Sequence, residues 1–179
     1  MKGNKMDNFA EQLVVKHPTS SDRAKKMIIF VGGCLMTVLL ILVSVMMLGS
    51  GSFIPVLGLL LAAGTGYGTY FFMQETYVEY EYTFTNGELD IDKIIAKKKR
   101  ISLLSVDVRK FTAFGKNTEA GEETADMTVI IGSDNIASHE YYADFDHDEY
   151  GSSRLIFAPD ERMLENIKKT LPASLRSGR

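Results

Sequence analysis

Residues 80–100 read YEYTFTNGELDIDKIIAKKKR, and the period of this stretch decides what kind of domain surrounds it. Aromatic and polar residues alternate up to Asn86-Gly87, a pair that favours a tight two-residue hairpin turn. Beyond the turn, Leu89 and Ile91 alternate with Asp90 and Asp92, so a second strand returns. The stretch then ends in four consecutive cations, Lys97, Lys98, Lys99 and Arg100. Period-two patterning recurs in RISLLSVDVRKFTAF (100–114), ADMTVIIGS (125–133), SHEYYADFD (138–146) and SSRLIFAP (152–159), while GKNTEAGEET (115–124) reads as a loop. Short strands at this spacing predict a sandwich or small barrel.

The last periodic segment is helical. In APDERMLENIKKTLP (158–172), Pro159 sits near the start, Asp160 and Glu161 lie in the first turn, Lys168 and Lys169 lie in the last, and Pro172 stops it. These charges complement the helix dipole. Met163, Leu164, Ile167 and Leu171 share one face, which is expected to plug the open end of the sheet. The β-rich domain is thus expected over residues 74–172, with 173–179 as a flexible tail.

Upstream the character changes. No Asp, Glu, Lys, Arg or His occurs between Lys26 and Glu75. Two apolar runs, MIIFVGGCLMTVLLILVSVMML (27–48) and FIPVLGLLLAAGTGYGTYFFM (53–73), are each long enough as a helix to cross a hydrocarbon core of about 30 Å. Only GSGS (49–52) joins them, so they form an antiparallel hairpin of transmembrane helices. Pro55 falls in the first turn of the second, where its missing N–H is harmless. Both the polar leader and the apolar core are too long for a cleaved signal peptide. Lys and Arg flank the spans at Arg23, Lys25 and Lys26 before and from Lys93 onward, which places both termini on the cytoplasmic side of the plasma membrane.

Residues 1–26 hold six Lys/Arg and three Asp/Glu, a net of +3, and residues 75–179 hold fourteen and twenty, a net of −6. Within 1–26, Met6, Phe9, Ala10, Leu13 and Val14 follow the spacing of a short amphipathic helix that lies on the membrane or docks on the cytoplasmic domain. In the second span, Gly58, Ala62 and Gly66 recur at i, i+4 and i+8, and Gly64 and Gly68 form a GxxxG, a pattern that lets helices approach closely. The stripe packs against the first span or joins two copies into a homo-oligomer.

Little else carries chemistry. The single cysteine, Cys34, excludes an internal disulfide and multi-cysteine metal sites, and it lies inside an apolar span. HEYYADFDHDEYG (139–151) is a dense set of potential ligands, with His139, Asp144, Asp146, His147 and Asp148 as weak metal candidates. The calcium-loop template fails there, because Glu149 stands where glycine is needed and Leu155 where a bidentate glutamate is needed. GTGYG (64–68) lies within a span and serves packing rather than phosphate binding. No hydrolase elbow, P-loop or dinucleotide fingerprint occurs, so neither an enzyme nor a cofactor is expected. The cations at 97–100 are read as a hairpin tip or as a patch facing anionic lipid. A nucleic-acid site is disfavoured by the acidic balance of the domain.

Two spans followed by YEYTFTNGELDIDKI, a basic turn, LLSVDVRKF and RLIFAPDERMLENIKKTLP resemble bacterial pleckstrin-homology (PH)-like domains attached to membrane hairpins. Most closely, the chain resembles an uncharacterised family of small two-span membrane proteins from Gram-positive bacteria. The resemblance implies a membrane α-hairpin plus a mainly β PH-like domain with a C-terminal helix, and it brings no assigned activity. The function expected is therefore a non-enzymatic membrane protein presenting its domain at the cytoplasmic surface to an unknown protein partner or to itself. The alternatives are a module binding membrane lipids through 97–100 and a metal protein or enzyme using 139–149.

Overall fold

The computed structural model describes residues 8–49 and 51–176. The chain divides into two compact units, one made of residues 18–77 and the other of the segments on either side. In chain order the elements are β1 (Phe9–Val15), α1 (Ser20–Met46), α2 (Ile54–Glu75), β2 (Val78–Thr85), β3 (Glu88–Ile95), β4 (Lys99–Asp107), β5 (Ala113–Lys116), β6 (Thr128–Ile131), β7 (Tyr141–His147), β8 (Gly151–Phe157), α3 (Glu161–Thr170) and α4 (Ala173–Arg176).

Helices α1 and α2 are both long and apolar enough to cross a membrane. Thr19 and Asp22 close a reciprocal capping box, so α1 starts at Ser20, within the polar leader ahead of the first apolar run. Pro55 occupies the first turn of α2. The pair packs through close approaches: a Cβ at Gly33 would overlap the Thr69 side chain, and one at Gly58 would overlap Ser44. Thr37 and Thr65 hydroxyls meet at 3.0 Å between the helices. Such contacts replace the missing hydrophobic drive between helices in lipid.

The other unit is a mainly β domain of two four-stranded sheets, in order β1-β2-β3-β4 and β5-β7-β8-β6, with a C-terminal helix. All pairs are antiparallel except β6 with β8. Asn86 and Gly87 both adopt positive φ, as the two-residue turn between β2 and β3 requires. The inward rows Tyr80, Tyr82 and Phe84, Leu89 and Ile91, and Leu104 and Val106 are buried against Phe145, Leu155 and Phe157 of the second sheet. Met163, Ile167 and Leu171 close one end of this core, while Leu164 is half-buried. Asp160, expected in the first turn of α3, is its N-cap and accepts from Met163 N at 2.7 Å, so the helix starts at Glu161.

Two expectations are corrected. The segment read as an amphipathic helix is strand β1, paired with β2 from Phe9↔Thr85 to Val15↔Glu79. Its apolar residues satisfy both periods, and a segment this short gains more from a ready-made strand edge than from isolated helical turns. Ala10 and Val14 face the core, and Met6 lies outside the described residues. The N-terminal segment therefore belongs to the β domain. The tail expected at 173–179 begins as the short helix α4, whose Leu175 packs against the core; residues 177–179 lie outside the described residues.

Candidate functional site

Register brings four strand ends together. Val15 of β1 lies opposite Glu79, Val78 of β2 opposite Ile95, and Ile95 of β3 opposite Lys99 of β4. The connections to the apolar helices leave from this same end, through residues 16–19 after β1 and through Thr76 and Tyr77 before β2. The basic turn is built here. Ala96, Lys97 and Lys98 form the loop, and Lys98 N donates to Ile95 O at 3.1 Å. Ala96 and Lys97 sit at φ 53° and 57°, the left-handed region that costs an L-residue about 1–2 kcal/mol.

Lys97, Lys98 and Lys99 are exposed. Arg100 is directed elsewhere. Its guanidinium pairs with Glu81 of β2 and reaches Asp92 of β3 at 3.4 Å, so it neutralises acids on the outer face of the first sheet. That face is otherwise acidic, with Glu11, Glu79, Glu81, Glu88, Asp90 and Asp92 alternating against the inward rows. The cationic tip is thus Lys97, Lys98 and Lys99, with Arg100 set apart on the sheet face. The sequence alone hid this, because the position of Arg100 depends on the irregularity in β3–β4 pairing at Ile91/Asp92.

The 139–149 cluster is dispersed along β7. His139 lies before the strand and pairs through Nδ1 with Asp134 at 3.0 Å, while His147 is its last residue, so the seven-residue strand separates the two. His147 Nδ1 accepts from the Glu149 and Tyr150 backbone N–H groups at 3.2 and 3.4 Å, and its ring stacks on Tyr150. Asp144 forms a bidentate pair with Arg154 of β8 at 2.6 and 2.8 Å. The carboxylate hydrogen bonds raise the Arg154 pKa, and the same guanidinium ties down Gly121 O at 2.6 Å. Asp148 is nearly fully exposed, 3.9 Å from Lys110, and Asp146 points to solvent. Among the described residues, no three His, Cys, Asp or Glu are grouped to hold a metal ion.

In the apolar pair, Gly58 and Ala62 are in the contact with α1, whereas Gly64, Gly66 and Gly68 have no atoms near where a Cβ would stand. The small-residue stripe is divided between a used and an open part. Gly33 of α1 was not singled out by sequence, since its partner Thr69 becomes evident only once the hairpin register is known.

Two concave regions adjoin the sheets. A groove of about 640 Å³ runs beside β1, lined by Leu13, Val15, His17, Asp134, Asp160 and Glu161 among others. A second, of about 560 Å³, lies between β5 and the end of α3, with Phe114, Lys116, Lys168, Leu171 and Arg176. At the far end of the first sheet, Asp107 accepts from Arg109 N and from its guanidinium, and that side-chain bond holds the Asp107 carboxyl below the usual carboxylate range.

A family model described as a bacterial PH-like domain (DUF6106) matches residues 6–177. Among curated proteins and among solved structures, none matches the chain.

Proposed function

The chain belongs to this bacterial PH-like family, and from that premise we propose that it is a non-enzymatic, membrane-anchored docking module. The apolar hairpin holds the domain at the cytoplasmic face, the lysine turn meets anionic lipid, and the remaining surface receives a protein partner.

The pairing of β1 with β2 carries this reading. One strand precedes both apolar helices and the other follows them, yet seven residues of each lie in register. Two strands of one ladder occupy one side of a bilayer, so the chain between them crosses an even number of times. Arg23, Lys25 and Lys26 before the first apolar run favour the cytoplasm for that side. The basic turn shares its sheet end with both connections, which are four and two residues long, and this supports the reading that Lys97, Lys98 and Lys99 meet the headgroups. Each cation there is worth about 1 kcal/mol on an anionic surface, screened by salt. The side chains with the most chemical potential, Asp144, Arg154, His139 and His147, are engaged in structural contacts, which favours docking over catalysis.

Impermeant-maleimide labelling of intact cells tests the topology. On a Cys34→Ser background, Ser52→Cys should label from outside, and Thr128→Cys only after permeabilisation. Labelling of Thr128→Cys from outside would sink the reading. For the lipid contact, amides of residues 96–99 should exchange more slowly in nanodiscs containing phosphatidylglycerol than in phosphatidylcholine alone. Lys97→Glu/Lys98→Glu/Lys99→Glu should remove that difference.

A further inference from the structure

The outer edge of β1 is open, which is unusual for a strand of this length and composition. Lys16 N donates to Val78 O and Asn86 N to Asn8 O, so the even-numbered residues of β1 turn their main-chain groups toward β2. The odd-numbered residues therefore turn theirs away. Both ends of this outward row are closed: Phe9 O accepts from Arg162 Nη2 at 3.3 Å, His17 N donates to Asp134 O, and Asn135 Nδ2 donates to His17 O. Between them, the N–H and C=O groups of Glu11, Leu13 and Val15 meet no partner among the described residues.

Natural edges are blunted by proline, charged side chains, a bulge or a covering element. Strand β1, FAEQLVV, carries one charge, Glu11, has no proline and pairs with β2 without a register shift. Leu13 and Val15 are 56% and 41% exposed along this edge, next to the groove described above. Acids outnumber bases around it: Glu11 on the strand, with Asp134, Asp160 and Glu161 across the groove, against His17, His139 and the Arg162 guanidinium at Phe9 O.

We propose that the β1 edge, from Glu11 to Val15, is a β-augmentation site that takes an extended, basic and apolar segment of a partner protein as an additional strand. The proposal rests on the docking-module reading and names its surface. Main-chain bonding to Glu11, Leu13 and Val15 supplies the ladder, alternate side chains cover Leu13 and Val15 and meet Glu11 on the same face, and intervening lysines or arginines meet the acids across the groove. A second copy of this chain fits less well, because its own β1 brings a glutamate and no cation to the contact. An anionic membrane is disfavoured by the same acids.

The test uses the full chain in phosphatidylcholine nanodiscs and fluorescent peptides of alternating lysine and valine or alternating glutamate and valine. The lysine peptide should bind more tightly by about tenfold or more, and should slow amide exchange at Glu11, Leu13 and Val15. Leu13→Pro removes an outward N–H and leaves the β2 ladder intact, so it should abolish binding while the thermal melt stays unchanged. Glu11→Lys/Glu161→Lys should reverse the peptide preference. Equal binding of both peptides, no binding to the natural chain, or full binding to a folded Leu13→Pro variant would each overturn the proposal. So would protection of these amides by phosphatidylglycerol alone, which would make the edge a membrane contact. Maleimide topology is scored separately, so failure here leaves the anchored reading standing.

Discussion

Tyr82 shows how one side chain joins the two sheets. Its ring is buried against Phe157 at 5.9 Å, and its hydroxyl donates to Gly132 O and accepts from Ala158 N at 3.1 Å. Burial raises the Tyr82 pKa, so the folded state holds it neutral. Its contribution is complete below the ordinary tyrosine range, near pH 10, and is lost as pH rises beyond it. Tyr82→Phe leaves Gly132 O and Ala158 N unpaired in the core and should cost about 1–3 kcal/mol in chemical denaturation. It should also flatten the loss of stability above about pH 10. Arg154 is the second residue of this kind, with a side chain that is 5% exposed. Arg154→Met strands the Asp144 carboxylate and should cost about 1.5–3 kcal/mol, whereas Arg154→Met/Asp144→Leu should recover part of that loss. Denaturation of the single and double variants measures the difference.

Elements differ in how much of them shows in the sequence. The β2–β3 hairpin was legible because Asn86-Gly87 states its turn and the alternation states its faces, and α3 was legible because caps, charges and apolar stripe agree. Strand β1 was not. Its residues fit two periods, and the strand that settles the matter comes only after two apolar helices. The Arg100–Glu81–Asp92 contact and the Gly33–Thr69 approach were hidden for a related reason, since each depends on a register that no local pattern states. In the helical pair the glycines should separate by position. Gly33→Val overpacks against Thr69 and should cost about 1–3 kcal/mol of hairpin stability, while Gly64→Ala, with open space around it, should leave it unchanged. Thermal melts in a mild detergent distinguish the two.

At the level of the whole molecule, the β domain is discontinuous and the apolar pair is an insertion within it. A fragment starting at Val78 lacks β1 and leaves Tyr80, Tyr82 and Phe84 without Ala10 and Val14 beside them. Such a fragment should aggregate when expressed alone. Replacing residues 18–77 with a short Asn-Gly-containing turn keeps both strands on one side and should give a soluble domain with a single cooperative melt by circular dichroism.

Because β1 is made first and can pair only after β2 emerges, folding of the domain reports on membrane insertion. A chain that threads one apolar helix and fails to return the other leaves its two strands on opposite sides of the bilayer. The first sheet then lacks β1, and β2 is left with an unpaired edge. The first sheet is therefore complete only when the two apolar helices return the chain to the side it left.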